Sequence, residues 1–263
     1  MLSAYRISRI TGGELHGMDI VVSGVAPLAT AGIDHVAFLD VGDPGNAGLL
    51  IAREPVPGRN TVVVPDPLAA MAAVLEILGA LPPPIIGDDC EIHPSVVLYP
   101  GVKVGNGCRI HAGTVIGAPG FRFHANRRIP HVGGVILGDN CEVGANCTID
   151  AGMLEATTLG NGCQLDAQVH VGHNCRIGNG VVIAAQTGIS GSCVIGEGAI
   201  IGGQVGLADH TVVEAGARIG AQSGVHGVVP AGATYLGTPA RPIALMRRIY
   251  AGLRWLPELV RKG

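Results

Sequence analysis

The chain has 263 residues, of which 42 are glycine, with 14% charged and only 3% aromatic residues. A net charge of −3 argues against general nucleic-acid binding. No apolar run reaches the roughly 18 residues of a membrane span. The first residues also lack the apolar stretch of a secretory signal, so a cytoplasmic protein is expected.

The first part of the chain, residues 1–84, contains no internal repeat. Near its end, "DPLAAMAAVLEILG" has the spacing of an amphipathic helix. The following "LPPP" is typical of a linker. These features set residues 1–84 apart as a domain of their own.

A six-residue repeat fills most of the remaining chain. An aliphatic residue recurs at every sixth position in three runs that together make 21 hexads, from Ile86 to Ile116, from Leu137 to Ile149 and from Leu159 to Val225. Glycine often follows the aliphatic residue, which suits tight corners. The pattern predicts a mainly β protein in which residues 85–236 form a parallel β-helix whose coils bury one another's apolar faces.

The seven cysteines all occupy one slot of this repeat, four residues after the aliphatic position. They are Cys90, Cys108, Cys141, Cys147, Cys163, Cys175 and Cys193. A shared slot indicates an inward position that favours a small, mildly apolar side chain. No CxxC spacing suggests a metal site, and seven unpaired thiols fit a reducing compartment.

Two interruptions break the repeat. The longer one, in "IGAPGFRFHANRRIPHVGGVIL", gathers Phe121, Phe123, His131 and three arginines. A shorter one, "DAGMLEATT", follows Ile149. Loops of this kind on a regular scaffold are often functional, so substrate contact is favoured over a tolerated insertion.

The register also groups three residues at one edge. Gly191 is 18 residues after His173 and so lies one coil above it, and His210 follows two coils above the hexad of His173. Neighbouring coils are about 4.8 Å apart. A neutral imidazole can remove a proton from an amine near pH 7, and a backbone N–H can stabilise an oxyanion. The column therefore predicts acyl transfer to an amine, with His173 as the base and Gly191 N–H as the oxyanion donor.

The motifs around this column resemble a known family. "GFRFHANRRIPH", "GANCTID" and "DAQVHVGHN" are similar to the GFxY-like loop, IPQ-like tripeptide, IGANxTID and DNQxxIAHN motifs of the UDP-3-O-acylglucosamine N-acyltransferases of the lipid A pathway. The resemblance implies a left-handed β-helix with three hexads per coil, hence seven coils. It also implies a homotrimer with active sites between subunits. The acyl donor would be an acyl carrier protein thioester, with no other cofactor and no metal.

The same resemblance assigns roles to individual residues. The family's catalytic histidine matches His173, and its oxyanion-hole glycine matches Gly191. The histidine of a GH dipeptide matches His210 in "ADH", which implies contact with substrate or with the acyl-phosphopantetheine arm. Substrate-binding roles also follow for residues in the matching motifs and loop, namely Asp150, Asp166, Gln168, Asn174, Phe121, Phe123 and His131. His170 falls where the family often has glutamine and is expected to be peripheral.

Residues 1–84 resemble the family's N-terminal α/β domain, in a truncated form. Phe38 in "HVAFLD" matches an aromatic residue that stacks on uracil, although a core position is an equal alternative. The motifs also depart from the family at Ala167 and Ala151, where DNQ and TIDRG carry an amide and an arginine. In the family these positions lie near the sugar-nucleotide and acyl sites.

The C-terminal segment, 237–263, is expected to form a basic helix containing Arg247, Arg248, Arg254, Arg261 and Lys262. It could meet the acidic acyl carrier protein or pack against symmetry mates, and peripheral attachment to a membrane is a further alternative.

Other functions remain open from the sequence alone. They are a sugar N-acetyltransferase or N-formyltransferase with a smaller donor, a non-catalytic nucleotide-sugar-binding or lipid-binding homologue, and a carbonic-anhydrase-like solenoid with His170, His173 and His210 as metal ligands.

Overall fold

The computed structural model describes residues 1–39, 42–253 and 255. The chain divides into two compact units. Among these described residues, the first unit takes those within 1–82, 119–134 and 151–156, and the second takes those within 83–118 and 135–150 and from 157 onward. Within the described residues, no helix is both long and apolar enough to cross a bilayer.

The first unit is a small α/β fold. Its elements up to residue 78 are β1 (Leu2–Ser3), α1 (Ala4–Thr11), β2 (Glu14–His16), β3 (Val21–Val22), β4 (Gly24–Val25), β5 (His35–Phe38), β6 (Leu49–Ala52), β7 (Thr61–Val63) and α2 (Pro67–Leu78). A five-stranded sheet has the order β2-β7-β6-β5-β4, in which only β2 runs antiparallel to its neighbour. All four residues of β6 are buried, as expected for a central strand.

Local signals define both helices of this unit. The Ser3 side chain accepts a hydrogen bond from Arg6 N and starts α1, and Gly12 ends that helix with φ 67°. Asp66 caps α2 by accepting from Ala69 N, and Pro67 occupies the first turn, where its missing N–H costs nothing. The helix expected from "DPLAAMAAVLEILG" is therefore present.

The later strands are short and regular. In chain order they are β8 (Ile85–Ile86), β9 (Glu91–Ile92), β10 (Val97–Leu98), β11 (Val102–Val104), β12 (Arg109–Ile110), β13 (Val115–Pro119), β14 (Phe123–His124), β15 (Arg127–Arg128), β16 (Val135–Leu137), β17 (Glu142–Val143), β18 (Thr148–Ala151), β19 (Thr157–Leu159), β20 (Gln164–Leu165), β21 (His170–Val171), β22 (Arg176–Ile177), β23 (Val182–Ile183), β24 (Gly188–Ile189), β25 (Val194–Ile195), β26 (Ile200–Ile201), β27 (Gly206–Leu207), β28 (Val212–Val213), β29 (Arg218–Ile219), β30 (Gly224–Val225), β31 (Val228–Val229), β32 (Thr234–Leu236) and β33 (Arg241–Pro242), followed by α3 (Ile243–Leu253).

The second unit is the expected β-helix, built from three sheets. The seven-stranded sheet has the order β10-β13-β18-β21-β24-β27-β30. The eight-stranded sheet has the order β31-β28-β25-β22-β19-β16-β11-β8, and the nine-stranded sheet has the order β33-β32-β29-β26-β23-β20-β17-β12-β9. All neighbours are parallel except β32 and β33. The seven rungs of the first sheet agree with seven coils, and β31 and β32 add part of another coil beyond the last hexad.

The repeated aliphatic residues form one continuous core inside this unit. From Val104 to Val225 every aliphatic hexad position is buried. Six of the seven cysteines are also buried and Cys90 is half-buried, which confirms the inward slot. Each inward thiol donates to a carbonyl of an adjacent coil, as Cys175 Sγ does to Ser190 O at 3.2 Å.

The turns at the corners of the β-helix contain residues in the left-handed backbone conformation. Asn174, Ser192 and His210 have φ values of 60°, 59° and 58°. Asparagine and histidine adopt this region more readily than most residues, whereas serine does so at some cost. The repeat of the same φ at 18-residue intervals keeps successive turns in register.

The two interruptions of the repeat belong to the first unit. Residues 123–128 form the antiparallel hairpin β14–β15, and Ile129 is fully buried in a cluster with Met71 and Leu75 of α2. Two side-chain contacts tie the hairpin to α2 and its cap: His124 Nε2 lies 2.6 Å from Asp66 Oδ2, and Arg127 forms an ion pair with Glu76. The sequence did not indicate this packing.

Part of the C-terminal segment forms α3, in which Met246 is buried while Leu245 and Ile249 are exposed. Arg247 and Arg248 lie on this helix. Arg254, Arg261 and Lys262 of the expected basic helix lie outside the described residues.

Candidate active site

One corner of the β-helix carries the predicted column. The turn after β21 holds His173 and Asn174, the turn after β24 holds Gly191 and Ser192, and the turn after β27 holds Asp209 and His210. Ser192 N donates to His173 O at 2.8 Å, and His210 N donates to Gly191 O at 3.1 Å. The three turns are therefore stacked in register. We call this edge the histidine corner.

The imidazole of His173 lies against the backbone of Gly191. A Cβ added to Gly191 would come within 2.8 Å of both Cε1 and Nε2 of His173. Any side chain at position 191 would have to displace the ring. His173 is half-buried at this corner, while Cys175 of the same turn points inward and is fully buried.

Asn174 fixes the tautomer of His173. The ring Nδ1 lies 3.0 Å from Asn174 Oδ1, which can only accept a hydrogen bond. Nδ1 therefore carries the proton, and in the neutral ring the lone pair belongs to Nε2. Asn174 N donates to Thr157 Oγ1 at 2.9 Å, which holds the turn in place. A neutral imidazole in this tautomer can accept a proton at Nε2.

Gly191 also offers a backbone donor. Its neighbours Ser190 and Ser192 donate their N–H groups to Leu207 O and His173 O. The N–H of Gly191 donates to no atom within the described residues. A polarised N–H beside a proton acceptor is suited to a reaction that creates an oxyanion.

Two other predicted residues lie at the same corner. His210 is exposed, in the turn position above Ser192. Asp150 follows Ile149, which pairs with Val171, so it stacks below Gly172. The Asp150 carboxylate also acts electrostatically on this turn. The pKa of the Cys175 thiol is raised by a hydrogen bond with Cys193, by burial and by the negative charge of Asp150.

Asp166 and Gln168 lie at a different corner. They belong to the turn between β20 and β21, at the other edge of the seven-stranded sheet from His173. Asp166 Oδ1 accepts from Ala167 N at 2.7 Å, and Asp166 lines an open depression of about 580 Å³ that also includes His111 and Ala184. A single chain therefore does not bring them together with His173.

Gln168 begins a ladder of stacked amides along that second corner. Gln186 Nε2 donates to Gln168 Oε1 at 2.9 Å, Gln204 Nε2 to Gln186 Oε1 at 2.7 Å, and Gln222 Nε2 to Gln204 Oε1 at 2.9 Å. All four have φ near 60°. The ladder stabilises left-handed turns that are otherwise costly for glutamine.

His170 lies on the outer face of the seven-stranded sheet, where its Nδ1 is 2.7 Å from Thr148 Oγ1. It is exposed and precedes the turn that carries His173. Among the described residues, no three His, Cys, Asp or Glu side chains form a group that could hold a metal ion.

The first unit contains a separate pocket of about 290 Å³. Its walls include the half-buried Phe38 together with Arg53, Arg122, His124 and Asp66. Phe38 also packs against two apolar clusters of this unit, so it combines a core position with an exposed surface. The sequence identified Arg122 but not Arg53, His124 or Asp66, because the fold of the long insertion against α2 brings these residues together. The hydrogen bond from His124, with one from Ala69 N, lowers the pKa of Asp66.

The polar and aromatic residues of the long insertion differ in their exposure and in their contacts. Phe121 is 81% exposed and meets Phe123 edge-to-face with centroids 5.1 Å apart. Arg128 lies 4.7 Å above the Phe123 ring and donates to Gly120 O. His131 is buried, with Nδ1 2.9 Å from Ile129 O. Of the three arginines expected to meet substrate, Arg127 pairs with Glu76 of α2, Arg128 contacts Phe123 and Gly120 O within the insertion, and Arg122 lines the pocket.

Comparison with known proteins supports the β-helical fold. A family model of bacterial transferase hexapeptide repeats matches residues 83–118 and 156–191, and a model of the hexapeptide repeat of succinyl-transferase matches residues 134–167. Among solved structures, the UDP-N-acetylglucosamine acyltransferase of Francisella novicida has a TM-score of 0.54 and 19% identity over 86% of this chain and 72% of that one. The Campylobacter jejuni enzyme of the same name has a TM-score of 0.50 and 20% identity over 61% and 69% of the two chains. These likenesses identify the fold as a left-handed parallel β-helix.

Curated relatives are more informative about the family. The UDP-3-O-acylglucosamine N-acyltransferase of Neisseria meningitidis serogroup B is 34% identical over 246 residues, covering 66% of this chain and 70% of that protein. The Coxiella burnetii protein of the same name is 45% identical over 93 residues, covering 34% and 27% of the two chains. The chain belongs to the family of UDP-3-O-acylglucosamine N-acyltransferases.

Proposed function

We propose that this chain is a cytoplasmic N-acyltransferase of lipid A biosynthesis. It transfers a 3-hydroxyacyl group from acyl carrier protein to the amine of a UDP-3-O-acylglucosamine-like sugar. The contact between His173 and Gly191 carries the proposal, because it combines a proton acceptor with a backbone donor at one corner. The family membership supports the substrate class, and seven free cysteines agree with a reducing compartment.

The proposed reaction proceeds by direct attack. The sugar ammonium loses a proton to His173 Nε2, and the amine nitrogen forms a bond to the thioester carbonyl carbon. The carbonyl oxygen becomes an oxyanion and accepts a hydrogen bond from Gly191 N–H. Collapse of the intermediate breaks the C–S bond, and the leaving thiolate takes the proton from the imidazolium. The second proton of the attacking nitrogen then passes to the neutral His173 Nε2 and on to solvent, which leaves the amide. Asn174 Oδ1 accepts from Nδ1–H throughout and favours the imidazolium.

The remaining predicted residues receive supporting roles in the proposal. Asp150 and His210 at the histidine corner position the acceptor and the phosphopantetheine arm. The first-unit pocket takes the uridine, with Phe38 beside the base and Arg53 and Arg122 near the phosphates.

A homotrimer would complete the site. Asp166 and Gln168 lie away from His173 within one chain, so a neighbouring subunit is proposed to supply them. Sedimentation of the purified protein would test this assembly, and a monomer with full activity would contradict it.

The function is tested by combining the purified protein with UDP-3-O-(3-hydroxyacyl)-glucosamine and 3-hydroxyacyl-acyl carrier protein, and following release of the free thiol. We expect turnover in the wild type and a loss of about 10²- to 10⁴-fold in His173→Ala. Parallel reactions with 3-hydroxyacyl-coenzyme A and acetyl-coenzyme A identify the donor. Turnover with acetyl-coenzyme A alone would replace the proposal by a sugar N-acetyltransferase.

A further inference from the structure

The histidine corner contains a third side-chain position that the sequence motifs did not identify. Ile189 pairs with Leu207, so Gly191 and Asp209, two residues later in each strand, occupy equivalent places in successive turns. His210 N donates to Gly191 O at 3.1 Å, which confirms this register. The first turn positions at this corner are thus His173, Gly191 and Asp209.

Asp209 is placed to face the same space as His173. It is exposed and makes no hydrogen bond or ion pair with another side chain in the described part of the chain. Gly191 has no side chain, and the His173 ring lies where its Cβ would point. Coils are about 4.8 Å apart, so His173 and Asp209 flank a gap of roughly two coil spacings at the level of their Cα atoms. That gap has an imidazole on one side and a carboxylate on the other.

This carboxylate departs from the family motif. The GH dipeptide that matches Asp209-His210 has glycine at the first position, and this chain reads "ADH". The aspartate therefore adds a negative charge at the corner without replacing another side chain. It is not needed to shape the turn, since the left-handed residue there is His210.

A carboxylate at this point suits an amine acceptor. An amino sugar carries substantial ammonium at neutral pH, and an ammonium donates charge-assisted hydrogen bonds to a carboxylate. Proton transfer to His173 moves the positive charge to the imidazole, so Asp209 keeps a cation in the same gap before and after the transfer. That cation offsets the repulsion between Asp209 and the developing oxyanion.

We propose that Asp209 is a positioning residue that binds the ammonium form of the acceptor across the gap from His173. The inference rests on the proposed function. It adds a determinant of selectivity for an amine over a hydroxyl at the reacting position of the sugar.

The test is Asp209→Asn, which removes the charge and keeps the size. Glu197→Gln is the matched control, because Glu197 is exposed and holds the equivalent turn position at a different corner. We expect the KM for the amino sugar to rise about tenfold in Asp209→Asn, an effect of the size of one charge-assisted hydrogen bond. The kcat should change by less than about threefold, and Glu197→Gln should match the wild type in both constants.

A binding comparison separates charge recognition from a structural effect. The Kd of the amino sugar is measured beside that of the analogue with a hydroxyl in place of the amine. Asp209→Asn should weaken only the amine, and Asp209→Glu should recover part of the loss. Equal weakening of both ligands, or an unchanged KM, would overturn the role of Asp209 while leaving the N-acyltransferase activity standing. A wild type that neither binds nor acylates the amino sugar would overturn the proposed function and this inference together.

Discussion

The imidazole Nε2 of His173 lies 2.8 Å from the point where Gly191 would carry a Cβ. The two residues are 18 positions apart in the chain and one coil apart in the β-helix. Stacked turns hold them there, through the hydrogen bond from Ser192 N to His173 O. The contact requires glycine at position 191 and fixes the ring beside a backbone N–H.

Gly191→Ala should lower kcat by about 10²-fold or more, because the new methyl group displaces the imidazole and covers the oxyanion donor. Steady-state kinetics with both substrates measures the effect. Gly206→Ala is a suitable control, since an added Cβ there meets no atom within 4 Å. If Gly191→Ala and Gly206→Ala have the same kcat, the assigned contact is not used in catalysis.

Asn174→Gly should reduce kcat about tenfold while leaving the fold intact. Glycine keeps the left-handed φ of 60°, but the partner of His173 Nδ1 is lost, and a hydrogen bond of about 1.4 kcal/mol corresponds to a factor of ten. Asn140→Gly makes the same change at another corner, where φ is 54°, and should retain full activity. Equal kcat values for the two variants would contradict the role of Asn174 in setting the tautomer.

The hydrogen bond between His124 and Asp66 should make the stability of the first unit depend on pH. The hydrogen bond from His124 lowers the pKa of Asp66 in the folded chain. Its contribution is therefore present above the unfolded pKa of about 3.9 and is lost as pH falls through the lower folded value. Asp66→Asn should lower the unfolding temperature at pH 6 to 7. The difference from the wild type should shrink as pH falls below the unfolded pKa of about 3.9, as measured by circular dichroism. A gap that stays constant over this range would show that the charge of Asp66 is unimportant.

The cysteines should react in two classes. Cys90 is half-buried, whereas the other six thiols are buried in the β-helix, and burial raises the pKa of Cys108 to about 11. Since the thiolate is the reactive form, brief alkylation at pH 8 should modify at most Cys90 in the native protein and all seven thiols after unfolding. Mass spectrometry of the intact chain counts the labels. Rapid labelling of Cys108 before unfolding would be inconsistent with its inward position.

A raised thiol pKa also predicts behaviour at high pH. Cys108 contributes stability that is fully present below the unfolded thiol pKa of about 8.5 and is lost as pH rises toward the folded value. Cys108→Ala should therefore flatten the fall in unfolding temperature between about pH 9 and pH 11. A parallel fall in both proteins would show that Cys108 does not ionise in this range.

The sequence predicted the β-helix well because its information is local and repeated. An inward aliphatic residue at each hexad and a small residue in the slot of Cys175 are enough to set the coils. Once the period is known, the stacking of the coils follows from counting, and the sequence alone predicts that His173 and Gly191 lie one coil apart at the same corner. The same arithmetic also places Asp209 at this corner, although no motif drew attention to it.

The contacts made by the residues of the insertions could not be predicted from the sequence. The sequence predicts Arg127 and Arg128 to be substrate contacts, because basic residues in a projecting loop are usually solvated. In the fold they bind Glu76 and Gly120 O. Their partners come from α2 and from the start of the loop itself, and no periodic pattern encodes such pairings.

By itself the sequence determined the architecture, the inward thiols and the edge that carries His173, since a fixed period makes every residue's face a matter of counting. Only the tertiary structure decided the tautomer of His173, the glutamine ladder at the second corner and the pocket around Phe38. Each of these depends on side-chain directions and on contacts between segments far apart in the chain, and such contacts are selected by packing and hydrogen bonding once the chain has folded.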